Sequence, residues 1–223
     1  MDGVAGLLGA GGHDLSLFTA ADELQRALLR DTFDAVVVDK ALPVTGGLAM
    51  VAWAAETLEA PPPVVIALPG DNKADMVRSL RSGASDVVAA TDPGEIVVAR
   101  IEAAARRARS SVPTERLRTL GPYVVDLLAE SIALNDKPVK LTSKEFALAR
   151  LFFDNLNRPL SRAYLFAHVW GPDYGVDTRT LDMHISRLRS KLVLSPDSGF
   201  ALQTLFGFGY RMDAFDAEGR RIE

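Results

Sequence analysis

The sequence predicts two folds in one chain: an open parallel α/β sheet in the first half, then a smaller α+β domain of three helices and a C-terminal hairpin. Three observations carry this. Up to about residue 107, apolar runs alternate with segments of helical spacing. Between Arg106 and Arg118 the chain reads RRARSSVPTERLR, where apolar periodicity lapses. Beyond it come three short strands, three helices and a compact hairpin around Phe206-Gly207-Phe208. The expected divisions are a first domain over 1–107, a linker over 108–117, a second domain over 118–213 and a tail over 214–223.

In order, Leu15–Phe18 reads as a short strand and Asp22–Arg30 as a helix with apolar residues at 24, 27 and 28. Ala35–Val38 is a continuous run of the kind found in strands buried on both faces. Pro43 to Gly47 supplies a loop, and Leu48–Leu58 a helix that Pro61-Pro62-Pro63 stops before the strand Val64–Leu68. Ala74–Ser82 is helical and ends at Gly83, a fitting C-terminal cap. Val87–Ala89 is a strand and Pro93–Arg107 a helix with Pro93 near its start. Such alternation means a parallel sheet covered on both faces.

In the second half, Tyr123–Leu128, Ser131–Leu134 and Val139–Leu141 read as strands. Thr142-Ser143-Lys144-Glu145 has capping-box spacing and opens a helix to about Asn155. Ser161 caps a second helix through Val169, and a third runs from Asp177 or Thr178 to about Leu192. Leu202–Leu205 and Gly209–Met212 flank the hairpin turn. Three helices closed by a hairpin form a winged helix-turn-helix.

Composition narrows the function. Of 223 residues, 48% are apolar and 24% charged, which suits packed cores rather than disorder. No apolar stretch reaches the roughly 18 residues that span a bilayer, and the N-terminus lacks a basic region before an apolar run, so a cytoplasmic protein is expected. Zero cysteines exclude disulfides, zinc–thiolate sites, iron–sulfur clusters and cysteine nucleophiles. His13, His168 and His184 leave little for a histidine metal cage, and no cofactor is expected. There is no Gly-x-Ser-x-Gly elbow, Walker loop or discernible catalytic carboxylate pair, so an enzyme is not expected. Gly9-Ala10-Gly11-Gly12 follows no convincing strand and precedes no Lys-Ser/Thr, which removes a nucleotide loop.

Net charge is −4, but it divides unevenly: −5 over 1–113, +3 over 114–212 and −2 over the last eleven residues. A basic segment joined to an acidic one can still meet phosphate. On the third helix Leu181, Ile185, Leu188 and Leu192 form one apolar stripe, with Arg179, Met183, Ser186, Arg187 and Ser190 on the other side. Residues 178–191 carry Arg179, Arg187, Arg189 and Lys191 against Asp182 alone. A helix fits the major groove, where Arg can pair with guanine and any cation with phosphate. A solvated charged face, or an adaptor using the hairpin for protein contact, is the competing reading.

LTSKEFALARLF, RPLSRAYLFAHVWG, DTRTLDMHISRLRSKL and QTLFGFGYRM, in that order, resemble the effector domain of OmpR/PhoB-type response regulators over roughly 117–212. The resemblance implies that Arg179, Thr180, Met183, Ser186 and Arg187 face DNA, that Trp170 and Arg189 support backbone contacts, and that Tyr210 and Arg211 belong to the wing. His184 then lies near phosphate, and Lys191 joins the cationic set. Phe206 stands where family members often carry Arg, which leaves it to pack or to contact sugar.

FDAVVVDKALPVTGG resembles the middle strand and following loop of receiver domains, which have a flavodoxin-like fold, and places Asp39 at the phosphoacceptor position. The other parts of that site depart from the pattern. Leu68 aligns with the switch Ser/Thr, Ala90 with the Lys and Val87 with the aromatic, and the acidic pair that helps hold a divalent cation is not evident. No N-terminal strand is evident in the sequence, which in the receiver order 2-1-3-4-5 opens a gap. Three arrangements answer it: a start within a longer gene product, Val4–Leu8 pairing as a strand, or a reorganised sheet.

The expectation is therefore an atypical regulator: a degenerate receiver that dimerises, followed by a winged helix that binds duplex DNA at tandem half-sites without needing phosphorylation. The alternative is control by phosphorylation of Asp39. By the same resemblance, the dimer face holds Val77, Arg78, Leu80, Arg81, Asp86, Glu95, Ile96 and Arg100. RNA polymerase is a further partner it suggests, a sensor kinase is left open, and no membrane is involved.

Overall fold

The computed structural model describes residues 2–42, 46–108, 116–171, 178–216 and 218–222, and the chain divides into two units. In the first, helices α1 (Asp2–Ala10) and α2 (Ala21–Leu28) precede the alternating series β1 (Val36–Asp39), α3 (Gly47–Thr57), β2 (Val64–Leu68), α4 (Lys73–Arg81), β3 (Asp86–Ala89) and α5 (Gly94–Ala108). The strands form a parallel sheet in the order β1-β2-β3, with Val36 opposite Val64 and Val65 opposite Asp86. Alternate side chains feed two cores. Val36, Val38, Val64, Ile66 and Leu68 pack with Leu24, Leu28, Met50 and Val51, while Val65 and Val88 pack with Leu8, Val97, Ile101 and Ala104. Burial on both faces is why these strands read as unbroken apolar runs.

Two expectations for the N-terminus change. Val4–Leu8 lies within helix α1, whose Leu8 reaches the same core as α5, so it does not complete the sheet. Leu15–Phe18 forms no strand: Leu17 is 77% exposed, and among the described residues the sheet consists of β1, β2 and β3. A strand persists only where a neighbour pairs with its backbone groups, and β1 lies at the edge of this sheet.

The second unit opens with a four-stranded antiparallel sheet, β4 (Leu117–Leu120), β5 (Tyr123–Asp126), β6 (Ser131–Leu134) and β7 (Lys137–Val139). Helices α6 (Ser143–Phe153), α7 (Arg162–Trp170) and α8 (Thr178–Lys191) follow; a two-residue strand β8 (Leu160–Ser161) precedes α7. The chain closes with β9 (Phe200–Leu205) and β10 (Gly209–Ala214), paired in the order β8-β10-β9. Strands β4 and β8 were not expected from the sequence. The capping box forms as spaced: the Thr142 hydroxyl accepts from the Glu145 amide and the Glu145 carboxylate from the Thr142 amide at 2.8 Å. Ser161 caps α7 by accepting from the Tyr164 amide at 3.0 Å. The expected linker lies largely outside the described residues, as does Asp177. No helix among the described residues is long and apolar enough to cross a membrane.

Candidate nucleic-acid interface

Helix α8 is held by its apolar stripe. Leu181, Ile185, Leu188 and Leu192 are at most 1% exposed and join the core formed by Phe146, Phe152, Leu165 and Met212. That fixes the rotation of the helix and turns Arg179, Asp182, Met183, Ser186, Arg187 and Ser190 to solvent. Arg187 has no ion-pair partner among the described residues. Thr180 is half-buried, and its carbonyl lies 2.8 Å from Nδ1 of the half-buried His184.

The remaining expected DNA contacts have internal partners. Arg189 ties α8 to the hairpin, donating from Nε to the Leu202 carbonyl at 2.8 Å and from Nη2 to the Thr204 hydroxyl at 2.9 Å. Lys191 lies 2.6 Å from the carboxylate of the buried Glu145, so its charge is already engaged. Arg211 is bound to Asp213 at 2.5 Å. Tyr210 is 4% exposed and lies between the guanidinium groups of Arg162 and Arg189, its hydroxyl donating to Asp182. Trp170 stacks on Phe166 with ring centres 4.7 Å apart and meets His184 edge-on, acting as a core anchor. The sequence placed these five residues toward DNA by charge and by the family pattern; the distant partners of Lys191 and Tyr210, 46 and 28 positions away, are not visible there.

Arg162 and Asp182 were missed for the same reason. Arg162, the first residue of α7, donates to the Asp182 carboxylate, and its amide donates to the Phe208 carbonyl at 3.1 Å. Burial works against the Asp182 carboxylate, but hydrogen bonds from Tyr210 and Arg162 outweigh it and hold its pKa below the usual range. The three groups brace α7, α8 and the hairpin together, so the exposed face of α8 and the wing share one framework. Phe206, at the hairpin tip, is 98% exposed and does not pack.

In the first unit, Asp39 is half-buried at the C-terminal end of β1, where a carboxylate oxygen accepts from the Ala41 amide at 2.8 Å. Lys40 pairs with Asp75 of α4 at 2.5 Å. Leu68 and Val87 are buried, and Ala90 is exposed, with its amide donating to the Leu68 carbonyl at 2.8 Å. Leu68 and Ala90, the positions aligned with the switch Ser/Thr and the Lys, thus carry neither a hydroxyl nor an ammonium. Val77, Leu80 and Ile96 are 46%, 48% and 45% exposed, and Arg78, Arg81 and Glu95 are also exposed. Asp86 and Arg100 instead pair with each other at 3.1 Å within the chain.

Residues 136–212 match the family described as "Transcriptional regulatory protein, C terminal". The chain is 34% identical over 154 residues to the sensory transduction protein RegX3 of Mycolicibacterium smegmatis, with 68% of each chain covered. The chain belongs to the OmpR/PhoB family of response regulators. This regulator is also 33% identical over 187 residues to the uncharacterized transcriptional regulatory protein YclJ of Bacillus subtilis, covering 82% of this chain and 81% of that one. Among solved structures it is similar to the response regulator DrrB, a Thermotoga maritima OmpR/PhoB homolog, at 22% identity and a TM-score of 0.41, covering 94% and 92% of the two chains. The chain is thus a DNA-binding response regulator of the OmpR/PhoB type.

Proposed function

We propose that this regulator reads duplex DNA through the exposed face of α8, as a dimer on tandem half-sites, and that it does so without phosphorylation. The observation that carries the DNA-reading surface is the rotation of α8: a fully buried stripe presents Arg179, Thr180, Met183, Ser186 and Arg187 along one side. Arg189, Tyr210 and Lys191 act behind that surface by fixing the helix to the hairpin and to α6.

The dimer forms through α4, β3 and α5, where Val77, Leu80 and Ile96 supply exposed apolar area. Exposed ion pairs contribute only about 0–1 kcal/mol each, so these apolar contacts hold the face together. Two winged helices then meet half-sites spaced by about one helical turn, roughly 10 base pairs.

The test is a salt titration of binding to fragments selected from random DNA. A dimer making about 8–12 phosphate contacts should lose affinity with a log–log slope of roughly −7 to −11. A flat response would favour a protein-binding adaptor. In the same assay Arg187→Ala should cost about 1–3 kcal/mol and relax preference at one base position. A uniform loss across sequences would make Arg187 a phosphate contact instead.

Phosphorylation independence rests on Leu68 and Ala90, which offer a phosphoryl group neither a hydrogen bond nor a charge, and on Lys40, whose ammonium is engaged by Asp75. Asp39→Asn should therefore leave DNA affinity and the monomer–dimer equilibrium unchanged, measured by fluorescence anisotropy and sedimentation. A large loss of either would return Asp39 to service as a phosphoacceptor.

A further inference from the structure

Phe206 is the most exposed large apolar side chain among the described residues, at 98%. Its surroundings make that exposure unusual. The hairpin turn is closed by the Phe208 amide donating to the Leu205 carbonyl at 3.0 Å, with Gly207 at φ +74°. On one side the Arg162 amide binds the Phe208 carbonyl at 3.1 Å; on the other Arg189 holds Leu202 and Thr204 of β9. The ring thus projects from a braced turn. From Gln203 to Gly209 the chain carries no charged residue.

We infer that Phe206 is an apolar wedge that enters the minor groove beside the site read by α8, contacting sugar edges and opening a base step. This rests on the DNA-binding reading above and adds how the wing takes part in it. Arg189 and the Tyr210–Asp182 contact tie the hairpin to α8, so a duplex seated on α8 continues past the tip. A minor groove about 6 Å wide admits a ring edge-on. Inserted apolar side chains unstack a step and bend the duplex toward the major groove. A tip without charge adds nothing to counterion release, so its contribution is independent of salt. A protein partner would need a broader apolar patch than this tip, where Phe206 is fully exposed but its apolar neighbours Leu205 and Phe208 are half-buried.

The experiment compares the full chain with Phe206→Ala and Phe206→Arg on a selected duplex, reading affinity, salt slope and the bend angle by end-labelled energy transfer. Phe206→Ala should weaken binding about tenfold and reduce the bend, with the salt slope unchanged. Phe206→Arg should steepen the slope by about 1. Because the ring packs against nothing, both variants should melt like the wild type. Affinity within twofold of wild type together with an unchanged bend in Phe206→Ala would overturn the wedge, and would leave the ring as a protein-facing or inert group. A wild-type protein that binds no duplex at all would overturn the DNA-binding reading and the wedge with it, whereas wild-type affinity and bend in the alanine variant would sink the wedge alone.

Discussion

Replacing Gly209 with alanine should destabilise the DNA-binding unit by more than about 3 kcal/mol, a cost in the range reserved for forced backbone displacement. A Cβ at this position would lie 2.1 Å from the Leu160 carbonyl oxygen and 3.0 Å from both the Arg162 amide nitrogen and the Ser161 carbonyl carbon. All three are backbone atoms, so no side chain can rotate out of the way. To make room, β8 must separate from β10, which breaks the pairing of Gly209 with Ser161 and pulls on the Arg162–Phe208 bond. The start of α7 and the base of the wing would move together. Gly207 is the control: its φ of +74° is strained for alanine, but the space around it is open. There the expected cost is only about 1–2 kcal/mol. The chain has two tryptophans, one in each unit, so a Trp53→Phe background leaves Trp170 to report denaturant unfolding of the second unit. A midpoint for Gly209→Ala equal to that of Gly207→Ala would refute the close-approach argument.

What was legible in the sequence follows the range of the interactions involved. The runs Val36–Val38 and Val64–Leu68 were readable because burial on both faces leaves no polar residue in them. The α8 stripe and the Thr142–Glu145 box were readable because their partners lie within one or a few helical turns. Leu15–Phe18 has the composition of a strand but no neighbouring strand, and pairing is not a local property. Strand β8 has two residues and exists because Gly209 lets β10 approach it, which nothing near Leu160 announces. In the interface the exposed side of α8 was readable from period alone. The duties of Lys191 and Tyr210 were not, because each is set by a carboxylate that tertiary structure delivers, whereas the Asp213 that engages Arg211 stands only two residues along the same strand. For Lys191 that carboxylate is 46 positions away.

That same pair gives the second large effect. Glu145→Ala should cost about 2–3 kcal/mol, because it removes both a capping partner and a charge-assisted hydrogen bond. Glu145 is 1% exposed; its carboxylate accepts from the Thr142 amide at 2.8 Å and from Lys191 Nζ at 2.6 Å, joining the start of α6 to the end of α8. The cost stays below the roughly 3–5 kcal/mol of stranding a fully buried charge, because the Lys191 side chain is 35% exposed and can turn to water. Burial pushes the Glu145 pKa up, but Lys191 and the Thr142 amide more than offset it and leave it below its ordinary value of 4.5. A folded-state pKa below the unfolded one means that the carboxylate stabilises the fold above about pH 4.5 and loses that contribution as pH falls through the folded value. Glu145→Gln keeps an acceptor for the Thr142 amide and removes the charge. Its stability deficit relative to wild type should therefore be full at pH 7 and shrink progressively below pH 4.5. Taking the difference between the two proteins cancels the other carboxylates, Asp182 among them, that titrate in the same acid range. A deficit that stayed constant from neutral pH to the acid transition would show that the pair carries no linked proton, and would reduce Glu145 to a helix cap.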